Sequence, residues 1–111
     1  MVDPDLFGRN GTNYGQFKHW LVVNIAGADL QNGRQLTEFI PSVPSRGTGF
    51  HRYVFLVYKQ PDVMPTDNRT EVGGQSYSLE GRLFWDIRAF AAKYHLGQPI
   101  GINYYLAQFD S

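Results

Sequence analysis

Residues 47–53, in the middle of the chain, carry a dense set of groups that could bind a small anion. They read Gly-Thr-Gly-Phe-His-Arg-Tyr and lead into an apolar run. Glycines let backbone N–H groups approach a ligand closely, and imidazole, guanidinium and phenol groups all donate hydrogen bonds. The stretch therefore indicates a local site for a phosphate-like anion.

The elements around this stretch decide which of its side chains face one another. Residues 52–58 are rich in β-branched and aromatic residues and predict a strand. Because side chains alternate along a strand, His51 and Tyr53 point to one face and Arg52 to the other. We expect His51 and Tyr53 to face ligand, and Arg52 to pair with a loop carboxylate, for which Asp5 is the candidate.

Two further places carry groups of chemical interest. Asp3 and Asp5 bracket a proline in a turn-rich segment, residues 3–17, which predicts a surface loop. The carboxylates could orient a histidine or arginine, or belong to a solvated turn. His19 opens residues 19–25, which predict a strand buried on both faces, and is either a structural histidine or a ligand contact.

The remaining pattern completes a small β-rich protein. Residues 26–49 predict mostly connection with a hairpin-type turn at Asn32–Gly33, residues 59–78 a long exposed loop, and residues 100–109 a further strand. Residues 86–97 predict a short helix that packs its apolar stripe into the core and begins at Asp86, with Gly97 as its stop. The stripe comprises Ile87, Phe90, Ala91 and Tyr94.

Composition limits the class of protein. The chain has 111 residues, 42% hydrophobic and 15% aromatic, which suits a single domain spanning residues 1–111. Ten basic residues balance ten acidic ones, so no net field favours nucleic acid. Cysteine is absent, and neither a signal peptide nor a run of roughly 20 apolar residues is present. We expect a cytoplasmic protein without a membrane span, and the sequons at Asn10 and Asn68 to be unused.

Three motifs in the same order resemble the phosphatidylethanolamine-binding protein family, which includes the Raf kinase inhibitor proteins and plant flowering regulators. Residues 3–5, Asp-Pro-Asp, are similar to the family's D-P-D-x-P motif. Residues 19–24 are similar to its histidine-bearing strand, and residues 47–53 to its G-x-H-R motif. The resemblance continues downstream through Arg82, Trp85, Arg88, Phe90, Ala91, Tyr94, Leu96, Gly97, Pro99, Tyr104 and Gln108.

The resemblance implies a mainly β fold, an antiparallel β-sandwich with a large sheet packed on a smaller one and a short peripheral helix near residues 86–96. It also implies a small surface pocket for phosphate-like anions or phospholipid head groups such as phosphatidylethanolamine. Carried over by position, the ligand-binding residues are Asp3, His19, His51, Tyr53, Phe17 as an aromatic wall, and Gly49. Asp5, Arg52 and Pro44 would support the pocket.

The implied function is a non-catalytic binding module without cofactor or metal that regulates a signalling protein such as a kinase, and is a monomer when fully folded. Two protonated histidines would tighten anion binding as the pH falls towards about 6. One alternative is catalysis, with Asp3, His19 and His51 as a metal centre or His51 as a general base. The other is a protein-interaction or structural role with a vestigial pocket, as a serine protease inhibitor or a mitochondrial ribosome subunit.

The chain departs from the family pattern in three ways. Phe7 stands where the second proline of D-P-D-x-P is expected, and Ser45 follows Pro44 where many members have a second proline. Family members usually carry further strands before the first motif and a helix after the last strand. We therefore expect a truncated domain with an unpaired sheet edge and exposed apolar surface, prone to aggregation or dependent on a partner.

Overall fold

The computed structural model describes residues 1–6, 15–64, 72–75 and 78–109. This part of the chain is mainly β, with one short α-helix, as the residue patterns predict, and has two antiparallel sheets, as the resemblance implies. The elements in chain order are β1 (Val2–Asp3), β2 (Phe17–Lys18), β3 (Leu21–Val23), β4 (Arg34–Thr37), β5 (His51–Val57), α1 (Ile87–Lys93) and β6 (Gly101–Ala107).

The larger sheet has the strand order β2-β1-β5-β6. β5 and β6 pair antiparallel along their whole length, from His51 opposite Ala107 to Val57 opposite Gly101. The predicted strands at residues 52–58 and 100–109 are thus confirmed within a residue or two at each end. β1 joins β5 through Val2 and β2 through both of its residues, which brings the predicted loop of residues 3–17 into the sheet at each of its ends.

β6 lies at the edge of this sheet in the described part of the chain. Its Ile102, Tyr104 and Leu106 are exposed, as is Val57 on β5. A strand with one open edge and exposed apolar side chains is a surface on which a further chain could pair. The expected exposed apolar edge is therefore present.

The smaller sheet pairs β3 with β4, with a bulge between Leu21 and Val22. Residues 26–49 are mostly connection, as predicted, and also contain β4, whose single large apolar residue, Leu36, is fully buried. The turn prediction for this segment is wrong. Asn32–Gly33 is not a two-residue hairpin turn, because residues 24–33 connect the strands and Gly33 has a negative φ of −68°, whereas a type I′ turn needs positive φ at both central residues.

The strand expected at residues 19–25 is shorter than predicted. β3 ends at Val23 because Asn24 adopts a left-handed backbone with φ 58°, which asparagine tolerates better than most residues. The Asn24 side chain hydrogen-bonds to Gln60 and to the backbone of Met64. Leu21 and Val22 are only half-buried, so this strand is not buried on both faces.

Helix α1 begins as predicted and ends earlier. The Asp86 carboxylate accepts a hydrogen bond from the Arg88 N–H at 2.9 Å, which caps the first turn. At the other end His95, with φ 57°, takes the left-handed position expected of Gly97. The Leu96 N–H then donates to the Ala91 carbonyl at 2.9 Å and closes a Schellman-type cap.

The core joins this helix to the smaller sheet, as predicted for the apolar stripe of the helix. Its buried members are Val23, Leu36, Met64, Phe90, Ala91 and Leu96. An apolar cavity of about 270 Å³ adjoins it, lined by side chains of β3, β5 and α1 together with the segments beside them. No helix in the described ranges is long and apolar enough to cross a membrane.

The predicted loop at residues 59–78 is only partly an exposed surface. Met64 is buried, and Gly73 and Gly74 form backbone hydrogen bonds with Leu36 and Glu38. Residues 65–71 and 76–77 lie outside the described residues, as do Phe7 and the sequons at Asn10 and Asn68.

Candidate functional site

The centre of the candidate site is a hydrogen bond between β1 and β5. His51 Nδ1 lies 2.7 Å from Asp3 Oδ2, and Asp3 Oδ1 accepts from the Asp5 N–H at 2.7 Å. A carboxylate only accepts hydrogen bonds, so His51 Nδ1 carries a hydrogen. The other ring nitrogen, Nε2, lies within hydrogen-bond distance of Thr48 Oγ1. Asp3 therefore fixes the orientation of the His51 ring.

His19 approaches the same cluster from the segment between β2 and β3. Its Nδ1 lies 3.1 Å from the Ile40 carbonyl oxygen, so this nitrogen donates and Nε2 is left without a hydrogen in the neutral ring. Burial lowers the pKa of His19 below 6.5, although the Ile40 carbonyl and Asp3 act in the opposite direction. His19 is therefore harder to protonate than a free imidazole, which works against the expected charging of this ring as the pH falls.

Aromatic rings hold Tyr53 between the two histidines. The ring centroid of Tyr53 lies 5.3 Å from that of His19 and 6.0 Å from that of His51. Tyr105, directly opposite on β6, stacks on Tyr53 at 5.2 Å. Phe17 meets His19 edge-on at 4.7 Å.

The Tyr53 hydroxyl is the least satisfied polar group of the cluster. It is buried and makes no hydrogen bond of good geometry within the described ranges, although the Val43 backbone lies close enough to lower its pKa slightly. Burial dominates and raises the pKa of Tyr53 well above its usual value of 10.0, so the hydroxyl keeps its hydrogen. A buried donor without a good partner loses roughly 1–3 kcal/mol, which a bound acceptor would restore.

Arg52 and Asp5 form the pair that the sequence predicts. Arg52 Nε and Nη2 each donate to a different Asp5 oxygen at 2.8 Å, and the Arg52 backbone N–H adds a third bond at 2.9 Å. Asp5 is fully buried, whereas Arg52 is 42% exposed. The hydrogen bond to Asp5 raises the pKa of Arg52. This pair ties the turn after β1 to the start of β5.

Arg82 is fully buried and bonds the backbone of the segment that carries His19. Its guanidinium donates to five backbone carbonyl oxygens, at distances of up to 3.2 Å, and burial lowers its pKa. The acceptors belong to Lys18, His19, Glu38, Gly74 and Ser78. Four separate segments of backbone therefore meet at one side chain, and one of them carries His19.

The structure brings Asp3, His19, His51 and Tyr53 together, but not as the open surface pocket that was expected. All four side chains are at most 1% exposed. Phe17 is also buried, while Gly49 is exposed and Pro44 is half-buried in the segment that precedes His51. Access for a ligand therefore requires movement of a covering group.

Sequence reasoning missed three contributors to the site. The residue pattern predicts no role for Thr48 or Tyr105, and Arg82 enters only through the family resemblance. Tyr105 could have been found from the pairing of β5 with β6, since it stands opposite Tyr53. Arg82 gave no signal, because buried arginines are rare and its partners are backbone atoms.

Asp3, His19 and His51 are not arranged as the metal centre that is the catalytic alternative. Among the residues described, no group of three or more histidine, cysteine, aspartate or glutamate side chains is placed to hold a metal ion. The Asp3–His51 contact instead uses the imidazole nitrogen as a hydrogen-bond donor.

Fold and site together define an antiparallel two-sheet protein with a buried carboxylate–imidazole–phenol cluster on its larger sheet. The family profile described as "Phosphatidylethanolamine-binding protein" matches residues 1–105, and the chain belongs to that family.

Two relatives and one solved structure support this. A "26 kDa secreted antigen" from Toxocara canis is 39% identical over 108 residues, covering 97% of this chain and 40% of that protein. A "Putative odorant-binding protein A5" from Drosophila melanogaster is 31% identical over 110 residues, covering 99% and 51%. The structure described as "CG7054 solution structure" superposes with a TM-score of 0.70 at 40% identity, covering 98% of this chain and 60% of that one. This chain thus spans about half of the length of its relatives.

Proposed function

We propose that this chain is a non-catalytic binding module for phosphate-like anions or phospholipid head groups, bound at Asp3, His19, His51 and Tyr53. The observation that carries the proposal is the Tyr53 hydroxyl, a buried donor without a good partner beside two imidazole rings. Imidazole and phenol groups can surround a phosphate oxygen with donors, and Asp3 can accept from an ethanolamine ammonium. Phe17 and Gly49 complete the proposed lining, with Asp5, Arg52 and Pro44 as its support.

The test is a calorimetric titration with phosphoethanolamine, inorganic phosphate and vesicles containing phosphatidylethanolamine, used as separate arms. We expect His51→Ala to weaken phosphoethanolamine binding at least about tenfold, as expected for loss of a hydrogen bond to a charged group. His95→Asn is the matched control, because His95 is exposed at the end of α1 and asparagine tolerates its left-handed backbone. Equal binding by wild type and His51→Ala, both folded by circular dichroism, rejects this site.

We extend the proposal to regulation of a signalling protein such as a kinase, by analogy within the family. Relatives described as a secreted antigen and a putative odorant-binding protein make an extracellular site of action an alternative to the cytoplasmic one. Capture of partners from intact cells and from culture medium, each with the His51→Ala variant in parallel, tests the location and the dependence on the site.

A second candidate is a protein-interaction role, and the exposed edge of the larger sheet favours it. Ile102, Tyr104 and Leu106 present an apolar row on β6 that a partner could cover. Light scattering during size-exclusion chromatography tests whether the protein associates. Tyr104→Lys should reduce association without changing phosphate binding, and an unchanged association state excludes this edge.

A third candidate ligand is a neutral apolar molecule. The Drosophila relative is described as a putative odorant-binding protein, and the cavity of about 270 Å³ in this chain is lined mainly by apolar side chains. Such a ligand would occupy a place separate from the proposed anion site, since the cavity is lined by none of Asp3, His19, His51 and Tyr53. Quenching of Trp20 and Trp85 by a small apolar dye, with phosphate present in excess, tests it.

A further inference from the structure

The segment before β5 carries Thr48, whose hydroxyl occupies the His51 nitrogen that would donate to an anion. Thr48 Oγ1 lies within hydrogen-bond distance of His51 Nε2 and 2.6 Å from the Ser45 carbonyl oxygen. The other nitrogen of the ring is held by Asp3. In the closed site, therefore, both nitrogens of His51 are already engaged by protein atoms.

Both nitrogens of His51 are engaged whether its ring is neutral or charged, as a count of the available hydrogens shows. The Thr48 hydroxyl has one hydrogen, and the Ser45 carbonyl can only accept. When the hydroxyl donates to Ser45, its contact with Nε2 requires a hydrogen on Nε2, and His51 is then an imidazolium. When His51 is neutral, Nε2 accepts the Thr48 hydrogen instead. An anion that takes a hydrogen bond from Nε2 must in both cases displace Thr48.

The backbone around Thr48 allows this movement. Gly47 and Gly49 have φ of 80° and 73°, a region that glycine enters at little cost, and a Cβ at either position would meet nothing within 4 Å. Thr48 is half-buried, whereas His51 behind it is fully buried. Two glycines in open space thus flank a threonine that covers a buried histidine.

We propose that Thr48 is a latch, an internal competitor that occupies Nε2 of His51 until a phosphate-type anion replaces its hydroxyl. This inference rests on the proposed function, since it assigns the regulation of that same site. The latch lowers the affinity of the site for anions, and an anion reaches His51 only when residues 45–49 move. Its removal tightens binding, which distinguishes it from a residue that contacts the ligand.

The first experiment needs no ligand. In protein labelled with ¹⁵N-histidine, the Nε2 resonance of His51 in Thr48→Val should move towards the position of a ring nitrogen without a hydrogen bond. Thr48→Ser, which keeps the hydroxyl, should leave the resonance where the wild type has it. An identical resonance in Thr48→Val and wild type overturns the latch.

The second experiment is titration with inorganic phosphate. Thr48→Val should bind about fivefold more tightly than wild type, the size of one net hydrogen bond, and Thr48→Ser should match wild type. Unchanged or weaker binding by Thr48→Val overturns the latch, because the hydroxyl would then be neutral or a ligand contact. If none of the three proteins binds phosphate, the proposed function fails, and the ¹⁵N comparison alone decides whether Thr48 caps His51.

Discussion

Asp3 and His51, 48 residues apart in the chain, are joined by a hydrogen bond of 2.7 Å between Oδ2 and Nδ1, with both side chains buried. The contact forms only when β1 is paired beside β5, so the chemistry of the site depends on the pairing of the larger sheet. The same carboxylate accepts from the Asp5 N–H, which links the orientation of the ring to the turn after β1.

Asp3→Asn should lower the free energy of unfolding by about 2 kcal/mol in urea denaturation. A hydrogen bond to a charged group contributes roughly 1.5–3 kcal/mol. The asparagine oxygen can still accept from Asp5, but its NH₂ group would then face His51 Nδ1, which must give up its hydrogen. The matched control is Asp86→Asn at the exposed start of α1, where asparagine is an equally good cap and the change should stay within about 0.5 kcal/mol. Similar losses in both variants would contradict the role of the Asp3 charge.

Arg82→Lys should destabilise the protein by about 3 kcal/mol, even though the charge is retained. Lysine has a single ammonium that cannot reach all the carbonyls that the guanidinium bonds, and each buried acceptor left unpaired costs roughly 1–3 kcal/mol. Thermal unfolding measures the loss. Arg88→Lys on the exposed face of α1 serves as its control and should change little. A near-neutral Arg82→Lys would show that the carbonyls are satisfied in another way.

Local pattern was enough to predict the elements that carry their own signal. β5 is rich in β-branched and aromatic residues, and α1 has helical spacing with a capping aspartate, so both lie close to the predicted positions. β4 has one apolar residue facing the core, and its strand geometry depends on pairing with β3, which no local window contains.

For the candidate site too, sequence predicts one part and not the other. The motifs contain its polar side chains, but they do not show which residues bury those side chains. Thr48 covers His51 because of a turn with two left-handed glycines, and Arg82 collects carbonyls from segments far apart in the chain. Backbone carbonyls are present in every residue, so sequence cannot indicate which of them a buried arginine will bind.

His19 should make the protein less stable as the pH falls below about 6.5. Burial lowers its pKa in the folded state below 6.5, the value expected in the unfolded chain. Between the two values the unfolded chain binds more protons, so the free energy of unfolding decreases with decreasing pH. Above pH 6.5 the contribution is fully present. Urea denaturation from pH 7.5 to 5 measures it.

The control for this effect is His19→Asn, whose amide can keep the hydrogen bond to the Ile40 carbonyl without titrating. All other ionisable groups are common to both proteins, so the difference between the two curves isolates His19. The asparagine variant should be less stable at pH 7.5, because it loses the ring contacts with Phe17 and Tyr53, but it should lose less on acidification. Parallel curves would mean that His19 is not the source of the pH dependence.

Tyr53→Phe should separate stability from binding. The hydroxyl is buried and lacks a good partner within the described ranges, so its removal should leave stability unchanged or raise it by up to about 1 kcal/mol in thermal unfolding. If the hydroxyl donates to a bound anion, the same change should weaken phosphate binding about fivefold to tenfold. A residue that costs stability and supplies binding is typical of a functional site.

Tyr94 provides the matched control for this prediction. Its hydroxyl is also buried without a partner in the described part of the chain, but it lies at the end of α1 beside Phe90, outside the proposed site. Tyr94→Phe should therefore have a similar effect on stability and none on phosphate binding. Equal phosphate affinity in wild type, Tyr53→Phe and Tyr94→Phe would show that the Tyr53 hydroxyl does not face the anion, and would remove the observation on which the proposed site rests.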